Sequence, residues 1–424
     1  MMNKLFGSSA IYMFSNILNA IIPFLLLPIL TRNLSHDQYG QLAIFQTLLT
    51  AISSIIGLSV YGAASRKFYD KDISEKQMSV FNGSCLQILI CSTLFFILII
   101  TPVKDNISSY LSIPSFWLYP AIGISFSIFV FQLRLGQWQV RRDAIRYGFF
   151  QVGQSLLNIS LSLVFVLYIF HNANGRIYGQ LIAISIFLIL SIISLYKDNL
   201  MSFFSYNLNY IKEALNFGVP LIPHTVGFFL ITSIDRFVIN DKLGLSDAAI
   251  YMVAVQISLG LALIFDAVNK AYVPWLFDKL SKDFDRRIIV KYTYVYFAAL
   301  FLLAIMSYYL APYITIIVAG DSYKDSANIV FILCLGQIFG GMYLMVTNYI
   351  FYSKSTKYLS MATILSGLLN IILLFVLIDH FGLEGAAISF AIARFVQFLL
   401  TWFVSSKCIK MPWFYMVMKS SHYG

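Results

Sequence analysis

The chain has 424 residues, of which 59% are hydrophobic and only 11% charged, and its mean hydropathy is +0.79. A soluble domain of this length needs a larger charged surface, so the balance excludes an ordinary globular enzyme and points to a chain solvated by lipid. The net charge of +10 raises nucleic acid as a partner, but the basic residues are scattered among many short loops rather than gathered on one module, which excludes it.

Lys4 precedes an apolar run to Leu30 that is longer than a signal-peptide core and has no A-x-A site after it, so it reads as a retained first span. Apolar runs bounded by charged or turn-rich segments then place about twelve helical spans. They are 9–31, 40–64, 80–102, 115–138, 147–170, 176–196, 215–239, 248–272, 290–319, 325–350, 357–379 and 381–406. The connections are short, and no extramembrane domain fits between them. With the N-terminus in the cytoplasm, the inner segments hold 20 of the 29 basic residues and the outer loops only five. That split places both termini in the cytoplasm and requires an even number of spans. Cys85, Cys91, Cys334 and Cys408 form no CxxC or Cys/His cluster, so neither a disulfide framework nor a metal site is expected. No P-loop pattern occurs, and neither ATP hydrolysis nor a cofactor is expected.

The expected fold is an all-α polytopic membrane protein of two parallel six-helix lobes. Leu156-Leu157-Asn158 in the fifth span matches Leu368-Leu369-Asn370 in the eleventh, and Leu34-Ser35 before the second matches Leu245-Ser246 before the eighth, at nearly one offset. An offset of six spans leaves both halves in the same orientation, related by an axis along the membrane normal. The expected organisation is an N-terminal lobe over 1–196, an amphipathic interfacial linker over 197–214, a C-terminal lobe over 215–406 and a cytoplasmic tail over 407–424.

The first helix of each half carries two prolines, Pro23 and Pro28, then Pro220 and Pro223. An interior proline removes a backbone hydrogen bond, and paired interruptions in two halves point to a transport site, against the plainer reading of ordinary kinking. Charges inside spans cost at least ~2.5–3.5 kcal/mol facing lipid, so each needs a task. Arg394 is the deepest, about thirteen residues or roughly 20 Å into the last span, and is expected to bind an anion in a cavity or to pair structurally. Asp235 and Arg236 lie about one turn below the outer end of the seventh span, on faces too far apart to neutralise each other simply. Asp266 and Lys270 are spaced i, i+4 on the eighth span, which favours an ion pair and leaves Asp266 as a candidate for coupling to an ion. Arg134, near the cytoplasmic end of the fourth span, is expected to reach the head groups. Four cations against two carboxylates suit an anionic substrate. Asn158 and Asn370 are expected to bond across helices or to line a lumen, and His224 to be a hydrogen-bonded span residue rather than a ligand. Belts at the interfaces account for most of the aromatic residues.

The stretch PILTRNLSHDQYG from Pro28 to Gly40, with IDRFVINDKLGLSDAAIY from Ile234 to Tyr251, resembles the O-antigen and polysaccharide flippases of the multidrug/oligosaccharidyl-lipid/polysaccharide exporter (MOP) superfamily. The resemblance implies a V-shaped, MATE-like pair of lobes around a cationic cavity in the bacterial inner membrane. It implies transfer of an undecaprenyl-pyrophosphate-linked oligosaccharide to the periplasmic leaflet, driven by H+ or Na+, with membrane lipids and the polymerase and chain-length proteins of the pathway as partners. Arg32, Asp235 and Arg236 fall within the matched motifs, whereas Arg394 and Arg134 are assigned from depth and charge. Against a drug or cation exporter of the same superfamily stands the missing carboxylate in the first span. Against a major-facilitator transporter stands the missing G-x-x-x-D-R-x-G in loop 65–79. An O-antigen polymerase or ligase generally carries a large periplasmic loop, and the longest outer connection here, 103–114, is too small for a catalytic domain.

Overall fold

A computed structural model describes residues 2–70, 73–282, 284–353 and 356–413. Lys71, Lys354 and Lys419, counted above among the inner basic residues, lie outside them, as does most of the expected tail. The described residues form helices and connecting turns, with no strand. The α-helices are α1 (Met2–Asn33), α2 (His36–Ile55), α3 (Tyr61–Lys67), α4 (Glu75–Leu111), α5 (Leu118–Val140), α6 (Ala144–Val164) and α7 (Ala173–Lys197). They continue with α8 (Leu208–Gly218), α9 (Ile222–Thr232), α10 (Asp235–Lys242), α11 (Leu245–Ser281), α12 (Arg286–Ala319), α13 (Ala327–Tyr352) and α14 (Thr356–Cys408).

Eleven helical stretches among the described residues are long and apolar enough to cross a membrane, and the last, Tyr358–Cys408, has 51 residues. At 1.5 Å per residue that is about 77 Å, more than twice the hydrocarbon thickness, so one crossing cannot contain it. It breaks at Gly382, with φ 55° and ψ −133°, a conformation side chains disfavour. A Cβ on Gly385 would lie 2.2 Å from the Leu377 carbonyl oxygen, and Ser389 Oγ reaches Asn370 Oδ1 at 2.6 Å, so α14 is a tight helical hairpin of two spans. With that hairpin counted as two, the described residues hold twelve helical stretches of spanning character, in line with the expected number.

Other spans are interrupted where the side chains give reasons. The second expected span bends at Gly57, Leu58 and Ser59, all three with positive φ. The freed Gly57 N–H is taken by Ser92 Oγ at 3.0 Å, which satisfies the group the break exposes. The seventh span tightens to a 3-10 turn over Val219–Leu221, where Pro220 cannot donate, and turns again at Ser233–Ile234 before α10. By contrast α1 runs unbroken through positions 23 and 28. Ser74 and Gln77 form a reciprocal capping box at the start of α4, and Ser35 caps α2, which gives the Leu34-Ser35 motif a structural basis.

Contacts group the chain into two units, one within 1–229 and 236–249, the other within 230–235 and 250–424. In the first, the segment after α7 is pinned along α4: Asn82 Nδ2 donates to the Leu200 carbonyl at 2.8 Å and Gln87 Nε2 to that of Phe203 at 2.7 Å. In the second, Phe265, Phe297, Met342, Val346 and Phe398 form a buried core, continued by Leu276, Tyr349 and Trp413.

Candidate functional site

In the second unit, Arg394 lies twelve residues past the Gly382 break, about 18 Å along the helix, and only 7% of its surface is exposed. Its guanidinium donates to Gln397 Oε1 at 3.0 Å, sits 5.4 Å from the Phe390 ring centroid and passes over Gly340 of α13. Spacing of three and four residues places Arg394, Gln397 and Thr401 on one face of α14. Gln397 Nε2 and Thr401 Oγ1 are buried with no hydrogen-bond partner among the described residues. Orphaned polar atoms of this kind are uncommon in a packed interior.

The same unit holds Asp235 and Asn370. Asp235, the first residue of α10, is 2% exposed and accepts from the Tyr251 hydroxyl at 2.7 Å, its charge placed where free N–H groups of a helix start favour it. Asn370 Nδ2 donates to the Leu230 carbonyl at 2.8 Å, and its Oδ1 accepts from Ser389. Asn370 therefore ties three helical segments together. Arg236 is buried as well, at 6% exposure, in the first unit. The turn at Ser233–Ile234 that presents this pair carries no proline. Its signal is Thr232-Ser233, hydroxyl residues that compete for the backbone.

In the first unit Arg134 does not reach the head groups. It is fully buried, paired through Nη2 with Asp198 Oδ2, and its guanidinium lies 3.9 Å from the Trp138 ring centroid. Arg146 approaches the same carboxylate at 3.8 Å. The reason for the correction is the chain end after α7, which brings a carboxylate to Arg134 and makes escape to water unnecessary. Asn158 Oδ1 accepts from Arg176 Nη1 at 2.7 Å, and Ser162 Oγ accepts from the same nitrogen at 2.7 Å.

Sequence reasoning passed over a polar ladder on α6. Tyr147, Gln151, Ser155, Asn158 and Ser162 follow one another at three- or four-residue steps through an apolar span. On α1, Asn16 accepts from Tyr147 at 3.3 Å and from Gln151 at 3.1 Å, and Asn19 accepts from Ser155 at 2.6 Å. The helical spacing of these polar residues was the available signal.

Lys270 and Asp266 form the expected pair at 2.6 Å, each about half exposed. Arg32 is exposed in the last turn of α1. His224 Nδ1 is buried without a hydrogen-bond partner among the described residues. Pro223 lies in the first turn of α9, a position that tolerates it, so the break falls at Pro220.

A family model described as polysaccharide biosynthesis protein matches residues 6–280. The chain belongs to that family. It is 25% identical over 379 residues to a protein of the Lsg locus of Haemophilus influenzae, covering 87% of this chain and 90% of the other. A Shigella flexneri protein named for O-antigen transport is 22% identical over 268 residues, covering 62% and 64%. Among solved structures, the lipid II flippase MurJ superposes with a TM-score of 0.72 at 17% identity, covering 94% of this chain and 87% of that one. A multidrug resistance MATE family transporter of the MOP superfamily superposes with a TM-score of 0.67 at 15% identity, covering 93% of each. The chain is thus a multi-pass membrane protein of the polysaccharide biosynthesis family with the fold of those transporters.

Proposed function

We propose that the protein is a flippase that carries a polyprenyl-pyrophosphate-linked oligosaccharide repeat unit from the cytoplasmic to the periplasmic leaflet of the bacterial inner membrane. Both termini are cytoplasmic in this reading, and alternating access is driven by an ion gradient. The observation that carries it is Arg394, a buried cation at mid-span with Gln397 and Thr401 presenting unfilled polar atoms on the same helix face. A pyrophosphate and several sugars cannot enter hydrocarbon without losing their hydration, and a buried cation with neutral hydrogen-bonding groups replaces that hydration. The family match to polysaccharide biosynthesis supports a sugar-linked anion over a cationic drug. Residues bind and release, and no bond is broken.

The test is reconstitution into proteoliposomes with a fluorescent polyprenyl-pyrophosphoryl oligosaccharide, its leaflet read by a membrane-impermeant quencher. Transfer that depends on the protein and on an imposed ion gradient is expected. Transfer no faster than in empty vesicles, with folded protein and either gradient, overturns the reading.

A further inference from the structure

In the first unit, Arg176 of α7 is a cation inside a span whose hydrogen-bond partners are all neutral. Its Nη1 donates to Asn158 Oδ1 and to Ser162 Oγ of α6, each at 2.7 Å, and no carboxylate pairs with it among the described residues. Three plainer uses of the charge fail. A hairpin pin does not need it, since in the second half the equivalent asparagine, Asn370, is held by the neutral Ser389 hydroxyl at 2.6 Å. The helix does not favour it either. Arg176 stands in the first turn of α7, where free N–H groups already make the potential positive.

Escape to the head groups is the third. A Cβ on Gly175 would lie 2.7 Å from the Phe165 carbonyl carbon, which sets Arg176 level with the closed end of the α6–α7 hairpin. Asn158 is seven residues, about 10 Å, further into the span than Phe165. Cα–Cβ bonds tilt toward the N-terminus of a helix, here the closed end, yet the guanidinium is carried the other way, into the span. With Nη1 held there, the Nε–Nη2 edge makes no hydrogen bond or ion pair among the described residues. That edge carries the two parallel N–H groups that bind a carboxylate or a phosphate bidentately. Four residues on, along the same face of α7, Gln180 Oε1 accepts from Gln46 Nε2 at 2.8 Å, which leaves the Gln180 Nε2 to donate. Arg176, Asn158 and Gln180 are each only partly buried, so the open edge can be reached.

We infer that Arg176 is an anion-binding residue of the substrate path, holding through its Nε–Nη2 edge an oxyanion of the transported molecule, a phosphate of its anchor or a carboxylate of an acidic sugar. Asn158 positions the guanidinium, and Gln180 supplies a neutral donor beside it. The identity of the transported molecule rests on the flippase reading above, whereas the anion site does not. In that reading the closed end of the α6–α7 hairpin is periplasmic, so Arg176 holds the head group on the side where it leaves.

The open edge is reported by the rate at which phenylglyoxal modifies Arg176, read by peptide mass spectrometry on the full-length protein in detergent. Undecaprenyl pyrophosphate, a glucuronate-containing disaccharide and undecaprenol are added separately. An oxyanion ligand at ten times its dissociation constant should slow modification about tenfold, while undecaprenol leaves it nearly unchanged. Protection by the pyrophosphate assigns the phosphate, and protection by the disaccharide alone assigns the sugar acid. Asn158→Asp separates binding from support, because a carboxylate at 158 keeps the pin and neutralises the guanidinium. Its apparent Tm should equal or exceed that of wild type, while the same protection should need about thirtyfold more ligand. Should that variant not fold, Gln180→Leu should raise the requirement about fivefold. No protection by either anion, equal protection by undecaprenol, or a requirement unmoved by these variants overturns the proposal. Transport by wild-type protein without protection of Arg176 removes the anion site and leaves the flippase reading intact. Protection without transport leaves the site and removes the flippase.

Discussion

Asn158 accepts a hydrogen bond from Arg176 at 2.7 Å, closing α6 onto α7, and 212 positions later Asn370 accepts from Ser389 at 2.6 Å, closing the two arms of α14. The repeated asparagine therefore performs one task in both halves: it pins the helical hairpin that ends each half. Interhelical bonds of this kind contribute roughly 0.6–1.7 kcal/mol in membranes. Asn370→Ala, which also releases the Leu230 carbonyl, should lower stability by about 1.5 kcal/mol, and Asn158→Ala by about 1 kcal/mol. Thermal unfolding in detergent reads this directly. Transport lost with unchanged stability would instead place the asparagines on the substrate path.

Arg394→Ala should abolish transfer of the lipid-linked oligosaccharide, and Arg394→Lys should retain part of it, because a lysine keeps the charge and loses the planar fork. The comparison is made in proteoliposomes at matched protein density. Full activity in a well-folded alanine variant removes Arg394 from the mechanism.

Arg134→Ala should strongly destabilise the first unit, and Asp198→Asn less so. Losing one partner of a buried pair costs about 3–5 kcal/mol, but the Asp198 side chain is about one-third exposed, so about 2 kcal/mol is expected there. The measurement is the apparent Tm of the purified variants. A neutral result for Arg134→Ala would show that the pair is not structural.

Gly57→Ala and Gly218→Ala should both damage the broken spans. A Cβ at Gly57 would lie 2.3 Å from the Phe129 ring, and at Gly218 it would lie 2.2 Å from the Leu58 carbonyl oxygen. Overpacking costs typically ~1–3 kcal/mol, and Gly218→Ala should be the worse because backbone yields less readily than a ring. Expression level and Tm read the effect, and a Gly218→Ala variant of wild-type stability would contradict the close backbone approach.

Asp266→Asn should change stability by no more than about 0.5 kcal/mol, since its pair with Lys270 is half exposed. If Asp266 couples the ion, the variant's transport should lose most of its response to an imposed pH gradient. An unchanged response assigns coupling elsewhere.

The helical spans were legible in composition and in the long apolar runs, because hydrocarbon accepts only long apolar helices. The Asp266–Lys270 pair was legible too, since a helix fixes which residues four apart must meet. Where the helices break was only partly legible. Pro220 marks one break, but the runs of positive φ at Gly57–Ser59 and the turn at Ser233–Ile234 depend on who receives the freed backbone groups, such as Ser92 for Gly57. The same limit applies to Arg134. Its partner Asp198 stands 64 positions away in the chain, and no local period records that distance. Lipid dictates the pattern of each span from within, whereas buried charges and cavities are set by neighbours far along the chain, which only the packed structure supplies.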